Sequence, residues 1–292
     1  MTASRPRFQS LELDIAGQHI AGIRREALGS AEARILCLHG WLDNANSFLP
    51  LMPELPACDL VAIDLPGHGY STHLHDSYSF PQMMLLARRV IAELQWEECV
   101  IMGHSLGGSV AALLAAAAPE TVSALISIDS CGPLSEAASE WPARMRRALA
   151  ERLEENRFAS RRFATPDEAV ASRLRATTME LRSAQLIIDR QLDLHDGEFH
   201  WRFDPTLRYS SWLYQSEEQV RAALAAIECP SLFIIADEGF PAQREETDGR
   251  LACVSNLRRI DLTGHHHLHM DTPEPVAAAI NAFLGTTPAL GG

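Results

Sequence analysis

A serine hydroxyl becomes a useful nucleophile when a neighbouring base can take its proton and an acid holds that base in place. The sequence sets one serine in a suitable place: Gly103-His104-Ser105-Leu106-Gly107, preceded by the apolar run Cys99-Val100-Ile101-Met102 and followed by an alanine-rich stretch of helical pattern. Alone, Gly-x-Ser-x-Gly describes any glycine-rich turn. Between a strand and a helix it describes a nucleophile elbow, a sharp turn that holds the serine clear of a sheet. Gly103 and Gly107 suit such a turn, because a side chain at either would meet neighbouring backbone. The helix start behind Ser105 offers N–H groups and a positive dipole end to a developing oxyanion. Around an elbow of this kind the acid and then the histidine follow the serine along the chain. The base is therefore expected near the C-terminus, where the sequence reads Gly264-His265-His266-His267-Leu268-His269-Met270-Asp271-Thr272-Pro273. Four histidines so close together also suit a metal ion. No cysteine or carboxylate elsewhere carries a matching ligand spacing, so no metal is expected.

The elements that would position these residues follow from periodicity. Leu11 to Ile15 alternates apolar and polar residues, turns at Ala16-Gly17-Gln18 and resumes from His19 to Arg24, a hairpin pattern. Strands are expected over 33–38 and 60–63, both of buried type, and over 99–102, 124–128, 231–235 and 256–262. Helices are expected over 79–95, directly after Ser105, and over 273–284 with Thr272 as N-cap. Strands alternating with helices at this spacing imply an α/β fold, a mostly parallel central sheet with helices on both faces. After Pro133 the rhythm changes: the chain turns charged and helical, free of strand-like runs, with amphipathic helices expected over 144–157 and 166–182. Aromatics gather at its end, at Phe199, Trp201, Phe203, Tyr209, Trp212 and Tyr214. The expected organisation is a core of residues 1–132 and 219–292 interrupted by a helical cap, or lid, at 133–218. Its aromatics either staple the insertion to the core or line a substrate site, and Trp212 and Tyr214 are the candidates for lining.

Composition narrows the partners. The 292 residues are 47% hydrophobic, enough for a sizeable core, and carry a net charge of −13. That balance opposes nucleic-acid binding, which needs a basic face. The first ten residues lack the apolar core of a signal peptide, and the longest apolar run, 110–118, is too short to span a bilayer. Six cysteines at 37, 58, 99, 131, 229 and 253 show neither paired nor metal-type spacing, so buried free thiols are expected. A cytoplasmic monomer or homodimer is the expectation, with no membrane span, and with a frayed tail from Gly285 onward. No nucleotide or flavin motif is present, and no cofactor is expected.

His39-Gly40-Trp41-Leu42-Asp43-Asn44-Ala45-Asn46-Ser47-Phe48, Asp64-Leu65-Pro66-Gly67-His68-Gly69, the elbow and the late histidines together resemble the α/β-hydrolase fold superfamily, in particular its serine hydrolase-like group. Within the insertion only Trp201-Arg202-Phe203-Asp204-Pro205 shares the likeness. The family's late pattern is a glycine, one residue, the catalytic histidine, then an acidic residue and a proline further on. With Asp271 and Pro273 in the last two places, the resemblance implies His266 as the base, with His265 the alternative one place earlier and His267 and His269 as packing or surface residues. The usual acid position falls on Gly239, which has no side chain, with Asp237 and Glu238 close but out of register. A minority of the superfamily carries the acid one strand earlier, which here is Asp129; that assignment is favoured over Asp237 or Glu238. Backbone N–H groups of Trp41 and Leu106 would form the oxyanion hole, and the Trp41 indole would wall the pocket. Asp64 and His68 would fix the turn after their strand. Ser105 at the elbow implies an acyl-enzyme hydrolase acting on a small carboxylic ester. The alternatives are a carbon–carbon bond hydrolase of aromatic-degradation type and a hydrolase-fold ligand-binding protein with slow turnover.

Overall fold

The computed structural model describes residues 8–27, 33–74, 78–154 and 161–287. β1 (Phe8–Ile15) and β2 (Gln18–Arg25) form the N-terminal antiparallel hairpin. β3 (Arg34–Leu38), β4 (Asp59–Ile63), β5 (Cys99–His104) and β6 (Val122–Ile128) follow, with α1 (Phe80–Glu93) before β5 and α2 (Leu106–Ala117) after it. α1 is capped by Ser79, whose side chain and that of Gln82 satisfy each other's backbone N–H. After β6 come α3 (Trp141–Leu153), β7 (Arg162–Phe163), α4 (Pro166–Ala176), α5 (Leu181–Asp189), β8 (Leu192–His195) and β9 (Glu198–Trp201). The chain then returns through α6 (Glu217–Ala225), β10 (Ser231–Glu238), α7 (Thr247–Leu251), β11 (Leu257–His265), α8 (Leu268–Asp271) and α9 (Pro273–Leu284).

Eight strands make one sheet in the order β1-β2-β4-β3-β5-β6-β10-β11. β2 meets β4 antiparallel, and from β4 to β11 every neighbouring pair is parallel. Successive residues of a strand point to opposite faces, and both faces here are dry. Leu36, Leu38, Ile101, Leu125, Phe233 and Ile235 pack beneath α1, α2 and α6. Their neighbours Ile35, Cys37, Val100, Met102, Ile126 and Ile234 pack against α9 and the Ala45–Phe48 turn. This is why the central strands read as largely apolar runs, with the buried hydroxyls of Ser127 and Ser231 donating to backbone oxygens. All six cysteines are free, five of them buried. Among the described residues no helix is long and apolar enough to cross a membrane.

Two expectations need correction. The segment between β6 and β10 is not free of strands: β7, β9 and β8 form a small antiparallel sheet around Phe163, with Ala169, Val170, Ala184 and Ile188 from α4 and α5. Strands of two to four residues are too short to display a period of two. The helix expected over 166–182 is two helices, α4 and α5, broken at 177–180. Thr272 holds the N-cap position of α9 as expected, with its hydroxyl donating back to Leu268 O at 3.2 Å instead of accepting from the first turn. Residues 155–157 of the helix expected over 144–157, the first seven residues, and the tail beyond Thr287 lie outside the described residues.

Candidate active site

β5 delivers the chain to Ser105 and α2 takes it away in the opposite sense, so the backbone must reverse within one residue. Ser105 absorbs the reversal at φ 51°, ψ −114°, a region costly for a side chain. The turn is anchored by Ser105 N donating to Ile128 O (3.0 Å) and Gly107 N donating to His39 O (3.1 Å). A Cβ on Gly103 would lie 2.2 Å from Gly107 O, and one on Gly107 would lie 2.0 Å from Leu38 O. Both glycines are thus demanded by backbone packed against backbone.

β11 ends beside this turn, and the next residue, His266, brings Nε2 to 2.9 Å from Ser105 Oγ. Its Nδ1 lies 2.5 Å from Asp129 Oδ2. Asp129 follows β6 at φ 46° and is buried, and its carboxylate also accepts from Ala236 N and Phe240 N, each at 3.0 Å. The end of β10 therefore wraps the carboxylate, and Gly239 allows it: a Cβ there would lie 2.2 Å from Asp129 Oδ1. Asp237 instead accepts from Gly264 N (2.9 Å), and Glu238 pairs with His265 (3.2 Å) at an exposed edge. Asp64 accepts from Ala45 N and Tyr70 N and receives Arg190, while His68 Nε2 accepts from Leu42 N; both hold loops.

Behind His266 lies a buried polar cluster. His104 Nε2 donates to the backbone oxygen of His266 (2.8 Å), which ties the elbow to the loop carrying the imidazole. Burial pushes the His104 imidazole down to about 4, so it is neutral near pH 7. Burial holds His269 well below its ordinary range for the same reason. Burial opposes the charge of Asp43, yet His267 and Arg173 hold its carboxyl well below the usual carboxylate range. His267 Nε2 sits 3.2 Å from Asp43 Oδ2, and Arg173 bonds Asp43 Oδ1. Asp43, His104 and His267 are the group, among the described residues, whose ligand atoms come close enough for a metal ion. Arg173 already places a cation on Asp43 and 3.4 Å from His267 Nε2, an arrangement of an ion-pair network and a poor fit to a metal centre.

Ser105 and His266 open on a cavity of about 590 Å³ whose wall includes Trp41, Leu106, Phe240 and Tyr214. Trp212 lines a smaller adjoining cavity of about 260 Å³, where the Arg152 guanidinium sits 4.4 Å from its ring. Trp41, half exposed, donates its indole N–H to Leu207 O (3.1 Å) and so ties the loop after β3 to the insertion. Polar contacts dominate this docking: Asn44 to Ile187 O and Gln191, Arg190 to Asp64, and Tyr78 to Asp204. The aromatics divide. Trp201 packs on Phe163 and Phe203 within the insertion, whereas Tyr209 and Tyr214 face the larger cavity. The Asp43–Arg173–His267 cluster carried no sequence signal, because its members lie far apart in the chain, and the cavity arginines carried none because their shared cavity is built from separate segments. The histidine inside the elbow motif was the one available hint.

Comparison with known proteins follows the same lines. Residues 33–273 match the alpha/beta hydrolase fold family. A serine hydrolase-like protein of Danio rerio is 31% identical over 276 residues, 90% of this chain and 85% of that protein. An esterase of Mycobacterium tuberculosis is 26% identical over 263 residues, 88% of this chain and 85% of the esterase. Among solved structures, a hypothetical protein from Pseudomonas aeruginosa PAO1 superposes with a TM-score of 0.87 at 30% identity, covering 94% of this chain and 97% of that one.

Proposed function

The chain belongs to the α/β-hydrolase fold family, and from that premise we propose that it is a serine hydrolase cleaving a small carboxylic ester through an acyl-enzyme. The observation that carries this reading is the unbroken line from Ser105 Oγ through His266 Nε2 and Nδ1 to Asp129. In it Ser105 is the nucleophile, His266 the base and then the acid, and Asp129 the group that orients the imidazole. His266 takes the hydroxyl proton as Oγ bonds to the ester carbonyl carbon. The resulting oxyanion is met by the backbone N–H of Leu106, the first residue of α2, and that of Trp41. Collapse breaks the bond to the alcohol, which leaves with the proton from His266. A water molecule, deprotonated by His266, then attacks the acyl carbon and releases the acid and Ser105. The segment 133–218 acts as a cap: it closes the cavity over Ser105, with Trp41 and Tyr214 on the wall that meets substrate and Trp212 in the adjoining recess.

The test is rapid mixing with a chromogenic short-chain ester. The expected result is a burst of chromophore equal to the enzyme concentration, followed by slower steady turnover. A single ligand-like binding event with no chromophore release would instead favour a binding protein on a hydrolase frame. The packing of Asp129 supplies a further expected outcome. Gly239→Ala should force the carboxylate away from Ala236 N and Phe240 N and lower kcat by roughly 100-fold, the scale of a misplacement of about 1 Å. Circular dichroism should stay native, since the change touches one loop. Full activity in Gly239→Ala would show that the carboxylate is not held where it is needed.

A further inference from the structure

The wall around Ser105 is more basic than the protein that carries it. Arg144, Arg147, Arg208, Arg244 and Arg250 line the cavity, five of the 25 basic residues of a chain with net charge −13 and no lysine. Two carboxylates share the lining, Asp129 and Glu246. Asp129 is engaged by His266 and two backbone N–H groups, and Glu246 accepts from Arg244 at 3.0 Å. The counter-charges of Arg144 and Arg250, Glu136 and Glu217, are not part of the lining. Arg147 stands three residues after Arg144 on the same face of α3; hydrogen bonds from Arg144 lower the Glu136 carboxyl, and the charge of Arg147 helps.

Several of these cations are fixed before any ligand arrives. The Arg144 guanidinium lies 3.5 Å from the Tyr214 ring centroid, and that of Arg244 lies 5.4 Å from the Phe240 ring centroid. Preset charges cost little ordering when an anion binds. A guanidinium offers paired N–H donors that match the two oxygens of a carboxylate, a fit lysine lacks. A small neutral ester has no group to answer the Arg147 guanidinium. We propose that the substrate is the half-ester of a small dicarboxylic acid, its free carboxylate held by Arg147 among the cavity arginines while its ester meets Ser105. This rests on the serine-hydrolase reading and names the class of substrate for that site.

The test compares the 4-nitrophenyl half-ester of glutarate with 4-nitrophenyl pentanoate, acyl chains of equal carbon number, each corrected for spontaneous hydrolysis. The expected kcat/KM is about tenfold or more higher for the half-ester, the scale of one charge-assisted hydrogen bond. It should also fall with added salt more steeply than that of pentanoate. Arg147→Gln should lower the half-ester's kcat/KM about tenfold more than pentanoate's, chiefly through KM. Arg147 is exposed, so folding should survive, and the salt comparison on the unaltered protein provides an independent reading. Equal kcat/KM for the two esters with equal salt dependence, or an equal loss on both in Arg147→Gln, overturns this proposal and leaves the serine-hydrolase reading standing. Turnover of neither ester overturns that reading, and this proposal falls with it.

Discussion

Ser105→Ala is expected to lower turnover by roughly a million-fold, to a residual rate about 1,000-fold above that in water, because it removes the nucleophilic oxygen and little else. The residual would come from binding and from the backbone donors of Leu106 and Trp41, which the substitution leaves in place. The elbow should keep its shape. Its reversal is dictated by Gly103 and Gly107 against backbone and by the bond from the N–H of residue 105 to Ile128 O, none of which involves the hydroxyl. A fluorophosphonate probe should label the unaltered protein at one site and leave Ser105→Ala unlabelled, with identical circular dichroism. Equal labelling of both would move the nucleophile elsewhere.

Asp129→Asn should cost on the order of 10,000-fold in turnover. Ala236 N donates to Oδ1 and Phe240 N to Oδ2, so an asparagine oxygen placed at Oδ1 keeps the first bond while its NH2 faces Phe240 N and the imidazole. The amide cannot serve the imidazole as the carboxylate does: facing His266 Nδ1, it favours the wrong tautomer and leaves the imidazolium without its counter-charge. Asp237→Asn and Glu238→Gln should stay within about tenfold, because those side chains are spent on Gly264 N and His265. The comparison needs all three variants with folding checked by circular dichroism. A dead Asp237→Asn beside an active Asp129→Asn would reassign the acid to the end of β10.

The elbow and the sheet were legible because their causes are local. Two glycines, a serine, an apolar run and an alanine-rich run lie within about twenty residues, and each constraint there acts between near neighbours. The central strands announced themselves because both faces of the sheet are covered there, which makes β3, β4, β5 and β10 largely apolar runs, whereas the edge strand β11 carries Arg258, Arg259 and Asp261. The insertion was less legible. Its sheet is built from strands of two to four residues, and its fit to the core depends on single bonds such as Trp41 to Leu207 and Asn44 to Gln191. No periodicity records a contact of that kind.

By itself the sequence determined the fold class, the turn at Ser105 and a short list for the other two members of the site. The tertiary structure decided which of them meet. Asp129 and His266 are 137 residues apart, and their pairing depends on β10 running between β6 and β11 and presenting Gly239, where any side chain would overlap the carboxylate. Asp43 reaches His267 across 224 residues, and α3, the Arg208 turn, the loop after β10 and α7 bring five arginines to one cavity. A chain can encode a turn in the residues that make it. Contacts across the fold are fixed only when packed elements leave a single space for each side chain, and that space exists only in the folded protein.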